Sequence, residues 1–169
     1  MKKQERLIAV YVDNKAGVLT RVSGMFTRRG FNIDSLTGGE TESPDYSRIT
    51  ISLTADDNEK DQMISQLKKL FVVKKVELVD EDPIKRELML IKVRNDQEKR
   101  SDIMTAVDVF RASVVDYSSN EMCIEVTGAP SKIDAFVKLM QPFGILEMCR
   151  TGVIALDRGE TTLLSKESI

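Results

Sequence analysis

The chain has 169 residues, which is enough for one ordinary domain or two small ones and too few for a large enzyme scaffold. Apolar residues make up 41% and charged residues 31%, so the chain can bury a core, and its formal charge of -2 argues against a polyanionic partner such as nucleic acid. The sequence contains no histidine, which excludes Ser-His-Asp and Cys-His catalysis and every histidine-containing metal site.

The first half of the chain predicts alternating strands and helices. Residues 5–12 form a β-rich apolar run, and the turn-forming loop DNKAG at residues 13–17 leads into a helix of about three turns that ends at Gly30. Gly24, in the middle of this helix, indicates a close approach by a neighbouring element. Residues 31–55 predict a hairpin, and a second helix from the DDNEKDQ segment and a strand at VVKKVELV complete the unit.

The second half repeats this order after a polar, proline-containing linker at residues 80–86. The predicted elements are a strand at ELMLIKVRN, a helix near residues 101–110, strands at ASVVDYS and EMCIEVTG, a helix from Pro130 and a strand at ILEMCRTG. We therefore expect an α+β fold of two ferredoxin-like βαββαβ units, in which residues 1–80 form the first domain and residues 81–169 the second.

The first strand contains the run LIAVYV, which is apolar at successive positions. Such a run is typical of a strand that is covered on both faces, whereas the helices of a ferredoxin-like unit cover only one. We therefore expect part of the first unit to be buried by another subunit, and the exposed edge strand of each unit offers a further place for a partner.

Cys123 and Cys149 show no CxxC spacing and are interpreted as structural residues in a reducing compartment, with a disulfide as the less favoured alternative. No apolar run is long enough to span a membrane, and the N-terminal residues pass from charge directly into the first strand. These features predict a cytoplasmic protein that contacts neither membrane nor nucleic acid.

The loop at residues 13–17 is the strongest candidate for a ligand site. It precedes a helix N-terminus, where free backbone N–H groups and the helix dipole attract a carboxylate or a phosphate. Gly17 allows close approach of a ligand, and the Asn14 amide offers both a donor and an acceptor, as a free amino acid requires. The alternative is local: Asn14 caps the helix and Gly17 relieves a tight turn.

Asn32, after the second turn, is equally open to two interpretations, a ligand contact or a loop asparagine in a turn conformation. The RRGF segment at residues 28–31 resembles the start of an RNA-recognition signature, but the following residues lack the spaced aromatics that stack bases. No phosphate-binding loop, metal-binding motif or catalytic arrangement is present, so we predict neither a catalytic residue nor a metal site.

Longer segments resemble a known family. The segment DNKAGVLTRVSGMFTRRGFNIDSL, followed by SRITI, is similar to an ACT domain and to the small, regulatory subunit of acetolactate synthase (acetohydroxyacid synthase). The similarity extends through LKKLFVVKKVELV and KRELMLIKV to PFGILEMCRTGVIALDRG, so it covers nearly the whole chain.

This resemblance implies a regulatory, non-catalytic partner of a transferase that acts in the biosynthesis of valine, leucine and isoleucine. The catalytic large subunit would carry thiamine diphosphate, Mg and FAD, and the small subunit would activate it and confer feedback inhibition by valine. The resemblance also implies a homodimer through ACT domains with valine at their interface. Asn14 and Gly17 would come from one copy and Asn32 from the other, flanked by Ala16, Val18 and Ile33.

Two other functions remain open from the sequence, a free-standing amino-acid-responsive module that controls a different enzyme and an independent enzyme. The preference among valine, leucine and isoleucine is also open, because a pocket separates such side chains by only about 1–3 kcal/mol. In the second domain Arg150, Thr151 and Gly152 resemble the family's ending, but an exposed strand end explains them equally well.

Overall fold

A computed structural model describes residues 2–167 of the chain. It contains two consecutive βαββαβ units and a short additional strand, which gives the predicted α+β fold of two ferredoxin-like units. The first unit consists of β1 (Gln4–Asp13), α1 (Val18–Arg29), β2 (Ser35–Glu40), β3 (Tyr46–Ala55), α2 (Asp57–Lys68) and β4 (Val73–Leu78). The second consists of β5 (Ile84–Arg94), α3 (Arg100–Val109), β6 (Ser113–Tyr117), β7 (Glu121–Gly128), α4 (Pro130–Met140) and β8 (Ile145–Arg150), and β9 (Ile154–Leu156) follows it.

The first unit is an antiparallel sheet in the order β2-β3-β1-β4 with its helices on one face. Successive side chains of a strand point to opposite faces, so Ile8, Val10 and Val12 of β1 share one face. They form a single buried core with Val22 and Phe26 of α1. The amphipathic pattern of α1 is therefore what fixes this helix on the sheet.

The second unit repeats this order as β6-β7-β5-β8 and buries its own core. Met89, Ile91 and Val93 of β5 pack with the helices as their counterparts in β1 do. The similarity reaches the fine detail, because a register shift follows Tyr11 in the β1–β4 pair and another follows Lys92 in the β5–β8 pair.

The division of the chain differs from the predicted one in its C-terminal part. The first compact unit includes residues up to Ile84 together with those from Val153 onward, and the second runs from Lys85 to Gly152. The predicted boundary at residue 80 lies close to the observed one, whereas residues 153–167 belong with the first unit and not with the second. We call these residues the C-terminal segment.

The C-terminal segment explains the continuously apolar first strand. On the face opposite to α1, Leu7 and Ala9 are buried together with Val153, Ala155 and Leu163. Leu7 and Ala9 therefore need no other subunit to cover them, because the chain covers them with its own C-terminal segment. Short β9 was not predicted as a strand.

The local predictions are partly confirmed. Gly30 ends α1 in a left-handed conformation with φ 69°, and its N–H donates to Phe26 O and Thr27 O. The interpretation of the two cysteines as buried structural residues is wrong, because Cys123 is only partly buried and Cys149 is exposed. The interpretation of Gly24 is wrong, since a β-carbon there would have only the Arg28 guanidinium at 4.0 Å as a neighbour. Within residues 2–167 no helix is both long and apolar enough to cross a membrane.

Candidate functional site

The loop between β1 and α1 leaves the start of the helix open. Gly17 is the N-cap residue of α1 and has a left-handed backbone with φ 82°, which favours glycine. No side chain caps this end of the helix, and the first turn contains no acidic residue. The Val18 N–H donates to Lys15 O at 3.4 Å, so the N–H groups that follow it and the positive end of the helix dipole are available to an anionic group.

The Asn14 side chain ties this loop to the β2–β3 hairpin. Its Nδ2 donates to Glu40 Oε1 and to Pro44 O, both at 2.9 Å, and its Oδ1 accepts from Ser47 Oγ at 3.1 Å. Both amide hydrogens are thus used within the chain, and one lone pair of Oδ1 remains. The prediction that Asn14 offers a ligand both a donor and an acceptor is wrong for this conformation, in which it offers an acceptor only.

A cavity of about 420 Å³ lies at this corner. Asn14, Lys15 and Val18 line one side, and the edge strand β2 and its neighbour β3 line the other. The lining residues of those two strands are Leu36, Gly38, Gly39, Glu40, Ser47 and Ile49. We call this space the corner cavity; it combines an apolar wall with a helix N-terminus and a carboxylate, as a small-ligand site requires.

The predicted site residues fall into two groups. Asn14, Ala16, Gly17 and Val18 lie at the N-terminal end of α1, of which Asn14 and Val18 line the corner cavity. Asn32 and Ile33 follow the other end of α1, about 18 Å away along a 12-residue helix. One copy of the chain therefore does not bring the two groups together.

Asn32 and Ile33 differ in their surroundings. Asn32 is exposed, and its Nδ2 donates to Asp34 Oδ1 at 3.3 Å. Ile33 is partly buried against the core of the first unit, which gives it a packing role in the single chain.

Sequence reasoning missed the contribution of β2 and β3. Glu40 and Ser47 are paired across the hairpin, which delivers both to Asn14. Gly38 and Gly39 belong to an edge strand, and a β-carbon at Gly39 would meet nothing within 4 Å. The adjacent glycines were visible in the sequence, but only the strand register brings them to the corner cavity.

The charges at the corner are mostly paired. Asp13, which precedes Asn14, lies 3.2 Å from Lys74 Nζ and 3.9 Å from Lys15 Nζ.

At the opposite end of α1, Arg28 and Arg29 lie in the last turn, where cations interact favourably with the helix dipole. Among residues 2–167 no group of three or more metal-ligating side chains is found.

In the second unit Arg150 belongs to an ion-pair network. Its guanidinium donates to both oxygens of Glu87, at 2.7 and 2.8 Å, and to Asp134 Oδ1 at 2.8 Å. The hydrogen bonds to Glu87 raise the pKa of Arg150, although burial opposes them. Because Glu87 is buried, this network explains Arg150 as a structural residue.

The fold defines a ferredoxin-like module with a cavity at one corner, and comparison with known proteins identifies its class. Residues 8–75 match the family described as AHAS small subunit-like ACT domain, so the first unit is an ACT domain. Residues 86–159 match the family described as small subunit of acetolactate synthase.

Individual relatives agree with this assignment over nearly their whole length. A probable acetolactate synthase small subunit of Archaeoglobus fulgidus is 50% identical over 90% of this chain and 96% of its own. The small subunit of Mycolicibacterium smegmatis is 46% identical over 90% of each. The crystal structure of the small subunit from Thermotoga maritima superposes with a TM-score of 0.88 at 41% identity, over 94% of this chain and 99% of its own. The chain belongs to the acetolactate synthase small-subunit family.

Proposed function

We propose that this chain is the regulatory subunit of an acetolactate synthase, which activates a thiamine-diphosphate-dependent catalytic subunit and confers feedback inhibition by valine. Family membership of both units supports this role, and the open corner cavity beside Asn14 is the observation that carries the effector site. The chain itself would be non-catalytic, while thiamine diphosphate, Mg and FAD would belong to the catalytic subunit, a transferase of the cytoplasm.

The edge strand β2 supports a homodimer through the ACT domains. One side of β2 pairs with β3, and its other side has no neighbouring strand among residues 2–167. A second copy can extend the sheet by antiparallel pairing of β2 with β2, which satisfies the backbone groups of both edges. Such pairing would cover the exposed glycines Gly38 and Gly39, whose missing side chains leave the backbone accessible.

Antiparallel pairing also explains why two distant groups of residues form one site. It sets the Ser35 end of one strand beside the Glu40 end of the other. Asn32 and Ile33, which precede Ser35, would then approach the corner cavity of the second copy, where Asn14 and Glu40 lie. The pair of chains would hold two equivalent sites, each closed by both copies.

The chemistry of the cavity suits a free α-amino acid with an apolar side chain. The ligand carboxylate would accept from the backbone N–H groups at the start of α1, beyond Gly17. Its ammonium group would donate to the remaining lone pair of Asn14 Oδ1 and to Glu40. Val18, Leu36 and Ile49 would contact the side chain, and this apolar wall is where valine, leucine and isoleucine are distinguished.

Inhibition requires more than binding. A ligand shifts a conformational equilibrium only by its difference in affinity between the two states, so valine must bind the inhibiting arrangement of the dimer more tightly than the activating one. A coupling free energy of about 1–3 kcal/mol, typical of allosteric proteins, would be sufficient.

The test is a matched pair of substitutions at one position. Gly17→Asp places a carboxylate where the ligand carboxylate would bind, whereas Gly17→Asn has nearly the same shape without the charge. Both residue types tolerate a left-handed backbone, and a β-carbon at this glycine would meet nothing within 4 Å. We expect Gly17→Asp to abolish valine inhibition of the reconstituted enzyme while activation persists, and Gly17→Asn to retain more of the inhibition.

Calorimetric titration with valine, leucine and isoleucine accompanies this assay and identifies the preferred effector. Full valine sensitivity of Gly17→Asp would contradict the site. Acetolactate production by the purified chain alone would contradict the non-catalytic role.

A further inference from the structure

A second and larger cavity lies on the other face of the first sheet, under the C-terminal segment. Its volume is about 520 Å³. Tyr11 and Arg48 form its floor, residues 40–42 of the β2–β3 hairpin form one side, and residues 156–164 form the other. We call it the C-terminal cavity. The role proposed above uses none of it except Glu40, which lines both cavities.

Arg48 is an incompletely satisfied cation. Its Nη2 donates to Ala155 O at 2.7 Å, while its Nε is shielded from water and has no hydrogen-bond partner among the residues that the structure describes. Burial lowers the pKa of this guanidinium, and nearby Asp157 opposes the change only in part. A buried donor without an acceptor costs free energy, so this position favours an added anionic group.

Asp157 attracts Arg48 without contacting it, because the Asp157 carboxylate is bonded to other groups. Its Oδ2 lies 2.9 Å from Lys166 Nζ, and its Oδ1 accepts from the Asp80 N–H at 2.8 Å. Within residues 2–167 Arg48 therefore forms no ion pair within 4.0 Å.

The remaining lining supplies the two other functional groups of an amino-acid site. Glu40 and Glu42 are exposed carboxylates that can accept from an ammonium group. Leu156 and Leu164 are 60% and 55% exposed, so apolar surface is available for a ligand side chain. A floor cation, rim carboxylates and an apolar wall in a space of this size match a zwitterion with an apolar side chain.

We propose that the C-terminal cavity is a second effector site, which binds an α-amino acid with an apolar side chain through an ion pair between its carboxylate and Arg48. The ammonium group faces Glu40 and Glu42, and the side chain packs against Leu156 and Leu164. Its cation Arg48 and its apolar residues Leu156 and Leu164 lie outside the corner cavity. Because Glu40 accepts from Asn14 in one cavity and lines the other, occupancy of either site alters the binding of the other, and this effect is reciprocal.

The test is calorimetric titration of the full chain carrying Gly17→Asp, with L-leucine and L-methionine as probes. This background removes the corner site without touching Glu40. We expect one binding event per chain for at least one probe. Adding Arg48→Gln is expected to weaken it about tenfold or more, since it removes the charged partner of the carboxylate. Arg158→Gln is the matched control, because Arg158 lies in the same segment and its partner among residues 2–167 is the exposed Asp82.

A second substitution separates binding from folding, since Arg48→Gln also loosens its contact with Ala155. Leu156→Asp changes an exposed cavity residue, and we expect it to weaken binding at an unchanged melting temperature. The proposal is overturned if neither probe binds the Gly17→Asp chain, or if binding persists in both Arg48→Gln and Leu156→Asp. Either result leaves valine binding to the wild-type chain, and with it the proposed function, intact.

Discussion

The two units of the chain contain the same asparagine at the same place, but Asn14 lines the corner cavity whereas Asn95 is buried. Asn14 follows β1 and Asn95 follows β5. In each case the backbone N–H and the side-chain Nδ2 donate to carbonyl groups of the following hairpin. The acceptors are Asp45 O and Pro44 O for Asn14 and Asn120 O and Ser118 O for Asn95. The asparagine therefore has an architectural role in both units, which is to hold the hairpin against the first strand.

The difference lies in what surrounds the asparagine. Asn95 is only 4% exposed, and its Oδ1 accepts from Arg100 Nε at 2.8 Å, so that corner is closed by the chain itself. Asn14 is exposed, and its helix begins at a left-handed glycine without a capping side chain. The helices of both corners begin without a capping side chain, so the left-handed glycine and the glycine-rich edge strand, more than the asparagine, distinguish the Asn14 corner from the Asn95 corner.

Substitution of the two asparagines gives the largest expected difference in stability between the two units. Asn95→Ala removes a buried side chain and leaves the Ser118 carbonyl and the Arg100 guanidinium without its hydrogen bonds, and we expect it to lower the free energy of unfolding by about 2 kcal/mol. Asn14→Ala affects groups that water can reach, and we expect less than about 1 kcal/mol. Urea denaturation followed by circular dichroism measures both.

Comparable losses for the two variants would contradict this contrast. The same Asn14→Ala protein also tests the effector site: it should show reduced valine inhibition in the reconstituted enzyme, whereas a protein destabilised to the same extent at another position should not.

Most of the fold could be predicted from the sequence because its signals are local. Alternation in the strands, the apolar stripe of α1 and the stop at Gly30 each depend on neighbouring residues. The path of the C-terminal segment could not be predicted in this way. It contacts the sheet through Val153, Ala155 and Leu163, which are too few and too widely spaced to form a pattern.

The candidate site, like the fold, could be predicted only where its signals are local. The loop residues Asn14 and Gly17 carry a local signal, a turn before a helix. Glu40 does not, because it is 26 residues from Asn14 and reaches it only through the register of the β2–β3 hairpin. For the same reason, the sequence did not reveal that the Asn14 donors are already used within the chain.

The C-terminal segment is a second difference between the units, and acid should release it. Burial disfavours the charged form of Asp157, but the Asp80 N–H and Lys166 outweigh this effect and lower its pKa below the ordinary value of 3.8. The charged form of Asp157 therefore stabilises the C-terminal segment fully above about pH 4, and this stabilisation is lost as the pH falls through the lowered pKa of Asp157. We expect amide protection factors of residues 153–166 to fall about tenfold at low pH, equivalent to about 1–2 kcal/mol.

Asp157→Asn is the control for this pH effect. It should show reduced protection already at neutral pH and little further change in acid. A segment that opens equally in both proteins at low pH would show that other carboxylates hold it.

The smallest expected effect concerns the helices that begin at the two corners. α1 contains Gly24 at its centre, whereas its counterpart α3 contains no glycine. Since Gly24 lies in a regular helix and a β-carbon there would meet only the end of the Arg28 side chain, Gly24→Ala should stabilise the chain by about 0.5–1 kcal/mol. Urea denaturation measures the gain. A loss of stability instead would show that the glycine is needed for an approach that a single copy of the chain does not make, such as contact with a second copy.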